Sequence, residues 1–146
     1  MAEYSNNAIQ TVNPGETIVF TEAPVPCTKG LVRHRDGSGD FVLAGITTIN
    51  NCGCRKQSFN YLVDFGANIA IPTDGAVGEI SVAFSLDGTT IPATTMTVTP
   101  AAVNEFFNVS RAANVGIWCG CCQSFSIRNT SSQPIQVQNA NVVFNA

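Results

Sequence analysis

Apolar residues recur at every second position in several stretches of the chain. In 79–86 (EISVAFSL), Ile80, Val82, Phe84 and Leu86 share one face and Ser81, Ala83 and Ser85 the other, the period of a half-buried strand. Asp87-Gly88 supplies a hairpin turn, and 94–99 (TTMTVT) returns with Met96 and Val98 inward and Thr95, Thr97 and Thr99 outward, after an interruption at Pro92. Residues 59–65 (FNYLVDF) alternate through Tyr61, Val63 and Phe65, and 124–129 (SFSIRN) pairs Phe125 with Ile127. After the turn residues 131–134, the stretch 135–144 (IQVQNANVVF) sets Ala140, Val142 and Phe144 on one face.

Shorter runs complete the pattern. Residues 17–21 (TIVFT) are β-branched and aromatic, and the prolines on both sides predict a strand at a sheet edge. Residues 30–35 and 40–49 (DFVLAGITTI) form a predicted hairpin around Asp36-Gly37-Ser38-Gly39, and 106–110 (FFNVS) is a further strand. Residues 1–15 are polar, end in Asn13-Pro14-Gly15, and read as a tail or lead-in strand. The one segment with helical character is a single turn at 100–105 (PAAVNE). Eight to ten short antiparallel strands without an amphipathic helix predict an all-β domain over residues 1–146, a sandwich or jelly roll. The alternative is an immunoglobulin-like sandwich, but Trp118 adjoins Cys119 and does not lie midway between two distant cysteines.

Composition narrows the role. Charged residues make up 12% of the chain, about half the usual share, while hydrophobic residues reach 45%. Thr, Ser, Asn, Gln and Gly must therefore cover the surface, a neutral coat that suits packing against copies of the same chain, because a buried charge needs a partner. The net charge is −3 and the densest basic run is Arg33, His34 and Arg35, too little counterion-release affinity for nucleic acid to be the main partner. The first ten residues show no basic region followed by an apolar one, and no apolar stretch is long enough to span a bilayer. Exterior-like composition without an export signal is the expectation for a particle assembled in the cytoplasm and released by lysis, such as a virion or a spore, with no membrane partner.

The six cysteines are the most unusual residues. Cys52-Gly53-Cys54 and Cys119-Gly120-Cys121-Cys122 form two clusters, with Cys27 alone upstream. Cross-linking leads: Cys27, Cys52, Cys54, Cys119, Cys121 and Cys122 are all candidates for disulfides within or between subunits, contributing about 2–4 kcal/mol per bridge. Reduced structural thiols are a second reading. A third is zinc, since a C-x-C pair in an extended segment puts both sulfurs on one face, and Cys52, Cys54, Cys119 and Cys121 together would offer four thiolates. No cofactor is expected. His34 is the sole histidine, which argues against a metal-dependent jelly-roll enzyme and leaves a Cys122–His34 nucleophile pair with composition alone behind it. The acidic residues Asp36, Asp40, Asp64, Asp74 and Asp87 mostly neighbour glycine and read as turn residues and not as calcium loops. The sequons Asn108-Val109-Ser110 and Asn129-Thr130-Ser131 read as accidental. Neither a phosphate-binding glycine loop nor a serine nucleophile elbow is present, and no enzyme is expected.

The stretch IAIPTDGAVGEISVAFSLDGTTIPATTMTVTP, followed by FNVSRAANV and by SFSIRNTSSQPIQVQNANVVFNA, resembles the C1q/TNF-like jelly-roll family over roughly residues 61–146. The strand with Leu86-Asp87-Gly88, its proline-containing return and the closing IRNTSSQPIQVQNANVVF are similar to bacterial and phage members, among them the heads of collagen-like spore-surface proteins and virion proteins of gut tailed phages. The resemblance implies a compact homotrimer around a three-fold axis, acting as a structural subunit of a virion or other extracellular surface. A phage head decoration or fibre component leads, and a spore-surface protein or a glycan- or receptor-binding module is the alternative. Its partners would be itself, other particle-surface or capsid proteins, and a glycan or receptor. The chain differs from the spore proteins in having no Gly-X-Y stalk, and from the family in its cysteine-bearing first half.

Overall fold

The computed structural model describes residues 1–27, 31–45, 58–118 and 122–145. Among the described residues twelve strands build two antiparallel sheets. Sheet A runs in the order β10 (Phe107–Trp118), β6 (Ser58–Ala70), β12 (Ile135–Asn145), β1 (Ala2–Asn6) and β3 (Glu22–Val25), with β2 (Gln10–Val12) also paired to β12. Sheet B runs β4 (Val32–His34), β5 (Phe41–Leu43), β11 (Gln123–Asn129), β7 (Ile80–Leu86) and β8 (Thr89–Thr90), with β9 (Met96–Val98) also paired to β7. The two sheets sandwich one core. The all-β jelly-roll expectation holds, with more strands among the described residues than the eight to ten read from periodicity.

The core is aromatic at its centre. Phe41 lies 4.9 Å from Tyr4 and from Phe144, and Phe125 lies 5.3 Å from Phe84 and 5.4 Å from Phe144, all with tilted or edge-on rings. Such edge-to-face packing aligns the ring quadrupoles and adds to the area these side chains remove from water. Alternating residues of β6, β7 and β12 supply the rest: Tyr61, Val63 and Phe65, then Ile80, Val82 and Phe84, then Val142 and Phe144.

Three departures from the sequence pattern have physical causes. First, the strand expected to stop at residue 110 continues to Trp118, because β10 pairs with β6 through twelve consecutive positions from Phe107↔Ile69 to Trp118↔Ser58. Weak β-formers such as Ala112, Ala113, Asn114 and Gly116 are held extended by that ladder and not by their own propensity. Second, residues 17–21 form a single bridge, Thr17↔Arg128, and no strand. They cross between the sheets: the Ile18 N–H donates to Ile127 in sheet B and the Thr21 N–H to Ser5 in sheet A, while Ile18 and Phe20 are fully buried. The sheet edge falls to the following residues, and Pro24 sits in edge strand β3, where a missing N–H costs no ladder bond. Third, the helical turn is at Pro92–Thr94 and not at 100–105. There Thr94 Oγ1 accepts from the Phe84 N–H and donates to the Ile91 carbonyl, filling the gap that Pro92 opens in the return strand.

Two local devices set the register. Asp87 and Gly88 both take positive φ (50° and 81°), the backbone of a two-residue hairpin turn between β7 and β8. In β12 the ladder shifts between Gln138 and Asn141, where Asn139 has φ 53°. The buried set accordingly changes phase, from Ile135 and Val137 to Ala140, Val142 and Phe144.

The face of β7 read as solvated is buried as well. Ser81, Ala83 and Ser85 are each under a tenth exposed. Ser81 is covered by the turn after β11: its hydroxyl lies 2.7 Å from that of Thr130, and its N–H donates to Ser131 Oγ. Ser85 Oγ finds no hydrogen-bond partner among the described residues.

Candidate functional site

The outer face of sheet A follows from strand alternation. Tyr61, Val63, Phe65 and Ala67 of β6 point into the core, so Asn60, Leu62, Asp64, Gly66 and Asn68 point out. Cross-strand register adds Asn108, Ser110, Ala112, Asn114 and Gly116 from β10. From β12 it adds Gln136, Gln138, Asn141, Val143 and Asn145, and from β1 Glu3 and Ser5. Most of the face is neutral, with Asn, Ser, Ala and Gly along its β10 side and Leu62 41% exposed on β6. Its charges are Asp64, Glu3 and, on edge strand β3, Glu22, all acidic. Asn108 Nδ2 donates to Asn68 Oδ1 across the ladder, and Asn141 Nδ2 to the Glu3 carboxylate at 2.7 Å, so these polar groups are tied within the sheet.

Beside this face the sandwich has an open side. Among the described residues β10 is paired in sheet A through β6 alone, and β9 in sheet B through β7 alone, so each leaves a backbone edge outside its sheet. Between them runs a groove of about 340 Å³, lined by Thr95, Met96, Thr97 and Val98 on one side and Asn108, Val109, Ser110 and Arg111 on the other. Buried Met96 and Val109 form its floor. Arg111 is the one charged residue of the lining, and its Nη2 donates to the Ala93 carbonyl across the groove at 2.6 Å. A strand of twelve residues without a bulge, proline or second charge is an unguarded edge, and natural sheets cover such edges or blunt them. Sequence reasoning missed Arg111. Its signal was a lone cation in an otherwise neutral run, which means little until the strand is known to be an edge.

Two cysteines, Cys27 and Cys122, lie among the described residues. Cys27 follows β3, is half-buried and packs against the core; Cys122 is exposed just ahead of β11. Cys52, Cys54, Cys119 and Cys121 lie outside the described residues. The strand ends that lead to them meet: Leu43 pairs with Gln123 and Val32, and Trp118 pairs with Ser58. The Tyr61 hydroxyl ties two of these ends together, donating to the Leu31 and Ala44 carbonyls, while the Ala44 N–H donates to Leu31. Burial first, and then the neighbouring Cys27, pushes the Tyr61 phenol up to about 12 and raises that of Tyr4. Asp87 braces the start of β11, accepting from the Ser124 N–H at 2.9 Å and from the Gln123 amide at 3.0 Å. These bonds, the backbone one foremost, hold its carboxyl below the usual range.

The other candidates have structural roles. His34 is half-buried, stacked on Phe41 at 4.7 Å and tilted against Tyr4 at 5.0 Å, with Nε2 2.9 Å from the Ser38 carbonyl; none of these contacts involves Cys122. Among the described residues no three His, Cys, Asp or Glu side chains gather to hold a metal. Asp36, Asp74 and Asp87 occupy turns, Asp40 leads into β5, and Asp64 lies in mid-strand, a correction to its reading as a turn residue. The second sequon is closed to modification by burial, since Asn129 is 1% exposed and its amide is fully engaged, whereas Asn108 is exposed on the edge strand.

No protein-family model and no curated protein sequence matches the chain. Solved structures do. The globular domain of zebrafish complement 1qA aligns over 97% of this chain and 94% of its own, at 11% identity and TM-score 0.59. The Eiger TNF of S. frugiperda aligns over 99% and 90%, at 10% identity and TM-score 0.66. At such identities the likeness is one of fold, and the fold is the C1q/TNF-like jelly roll.

Proposed function

We propose that this chain is a non-enzymatic structural subunit that associates with copies of itself, in a homotrimer, on the surface of a virion or another extracellular particle. The observation that carries the reading is the pairing of a broad, charge-poor, small-residue outer face of sheet A with the unguarded edge of β10 beside it. Asn, Ser, Ala and Gly side chains allow close approach of a second backbone, and few charges need to be desolvated. Edge packed onto face is a heterologous contact, and such contacts close into rings when the rotation allows. The low charge of the whole chain and the fold shared with a C1q and a TNF domain agree with it. A phage head decoration or fibre component remains the favoured particle role, with capsid or other surface proteins as further partners.

In this reading the cysteines fasten the subunit after release into an oxidising exterior. Support comes from the strand ends that lead to the cysteine-bearing segments, which meet at one end of the sandwich. Reduced and non-reduced gels test it: identical migration would remove inter-subunit bridges.

The primary test is mass in solution. Sedimentation equilibrium or multi-angle scattering should report a trimer, and Ser110→Lys or Ala112→Lys, both exposed and on the outer face, should dissociate it while the far-ultraviolet spectrum stays unchanged. A wild-type monomer at all concentrations would refute the reading. The groove between β9 and β10 favours a second one, a glycan-binding module, because its rim is rich in hydroxyl and amide groups and its volume is at the lower end for small-ligand sites. A monomer that bound glycans on an array would shift the case to that alternative.

A further inference from the structure

The register of sheet A sets three charged residues at one height along the strands. Ala112 of β10 pairs with Asp64 of β6, Asp64 with Val143 of β12, and Val143 with Glu3 of β1. Arg111 is one position from Ala112, so it lies within roughly 3.3 Å of that height. Asp64 and Glu3 are two strands apart, roughly 10 Å, with the side chain of Val143 between them. The face thus carries two carboxylates level with the single cation of the adjoining edge. Asp64 is exposed, the Glu3 carboxylate is held by Asn141, and Arg111 is exposed with one N–H engaged at Ala93. Arg111 pairs with core-facing Phe65 and so leaves β10 on the groove side of the edge, and of the five N–H donors in its planar fork the Ala93 contact engages one.

We propose that Arg111 of one copy is the anchor of the assembly and pairs with Asp64, and at its margin Glu3, on the outer face of sheet A of the next copy. This rests on the self-association reading above. Rotation about an axis running along the strands keeps every residue at its own height, so edge-to-face contact between symmetry-related copies brings Arg111 opposite the level of Asp64 and Glu3. Among the described residues the face offers no cation of its own to compete: Arg33 lies on β4 of sheet B and Arg35 just after it, while on β11 Arg128 is occupied by Ser126 and Gly15. Ala112 and Val143 flank Asp64 with side chains small enough for the neighbouring edge to approach. A single complementary pair in a neutral interface contributes little bulk affinity but fixes orientation, because a slipped copy would desolvate Arg111 without a partner. The contact is one-way, cation edge to anion face, and that direction favours a closed ring over a two-fold dimer.

Charge reversal tests the pair on the full chain. Arg111→Glu and Asp64→Arg should each raise the concentration at which the oligomer half-dissociates by at least about 100-fold, since like charges brought together across an interface are strongly unfavourable. Combining the two should recover most of the loss, and Asp74→Arg in the exposed loop after β6 should change nothing. All three positions are exposed, so thermal melts should show folded protein throughout. Single reversals that leave the oligomer as tight as wild type, or a double reversal no tighter than either single one, would overturn the pair while self-association stands. A wild-type chain that never associates would overturn both.

Discussion

Asn129→Asp is a change of one atom with a large expected effect. Asn129 is 1% exposed, and its Nδ2 donates to the carbonyls of Val12 and Gln133, both at 2.9 Å, while Oδ1 accepts from the Ser131 N–H at 2.8 Å. The amide thereby joins β11, the end of β2 and the turn leading into β12. A carboxyl group of the same shape keeps the acceptor but puts an oxygen against two carbonyl oxygens. Protonated, it can serve one of them, and the loss is one hydrogen bond plus an unsatisfied carbonyl, about 1–2 kcal/mol. Ionised, it would be a buried charge facing two dipoles of the wrong sign, so the folded state retains the proton and the folded pKa rises above the unfolded value of about 3.9. With a raised folded pKa the native state binds more protons than the unfolded one. Stability is then highest below the unfolded pKa and is lost as pH rises, by about 1.4 kcal/mol per unit until the folded pKa is passed. A rise of about two units brings the total deficit at pH 7 to about 4 kcal/mol. Urea unfolding of variant and wild type at matched protein concentration, at several pH values from 3.5 to 7, measures it. A deficit under about 1 kcal/mol at pH 7, or one that does not grow between pH 4 and 7, would refute this account of the Asn129 site.

Three further outcomes follow from the packing. Gly39→Ala puts a Cβ 2.5 Å from Thr17 Oγ1, 2.7 Å from Thr17 Cβ and against the Ile18 carbonyl oxygen; it should destabilise by about 1–3 kcal/mol in urea melts, and a neutral result would show that the 17–21 crossing is not held tightly there. Tyr61→Phe removes the hydroxyl shared by Leu31 and Ala44, at a cost of about 1–2 kcal/mol. Because the folded phenol is raised to about 12, the stability linked to it is complete below about pH 10 and declines toward pH 12, and the 295 nm phenolate absorbance that separates wild type from Tyr61→Phe should appear only as pH approaches 12; ionisation near pH 10 would contradict its burial. Asp87→Asn keeps a residue tolerant of positive φ but deletes a carboxylate whose folded pKa is depressed, so wild type should be the more stable at neutral pH and the gap should close as pH falls through that depressed value. A gap that persisted below about pH 2 would assign the effect to the turn and not to the charge.

The sequence by itself determined the layer architecture. A two-residue apolar period is the same in any fold that buries one face of a strand, so Ile80, Val82, Phe84, Tyr61, Val63, Phe65, Ala140, Val142 and Phe144 could be assigned inward before any partner strand was known. Asp87-Gly88 was legible for the same reason, because its turn depends on local backbone and not on distant contacts. The rest required strand partners. Ala112, Ala113, Asn114 and Gly116 have little β-propensity and are held in a strand by β6 beside them, and 17–21 have high propensity but cross between sheets. The charged residues at one height were the least legible: Arg111, Asp64 and Glu3 are separated by long stretches of chain, and Asp64 read as a turn residue until the ladder placed it mid-strand. Periodicity fixes which way a side chain points, because that depends on its own strand alone. Register decides which side chains share a height and an edge, because each backbone hydrogen bond joins residues that the sequence keeps apart, and only the tertiary structure supplies it.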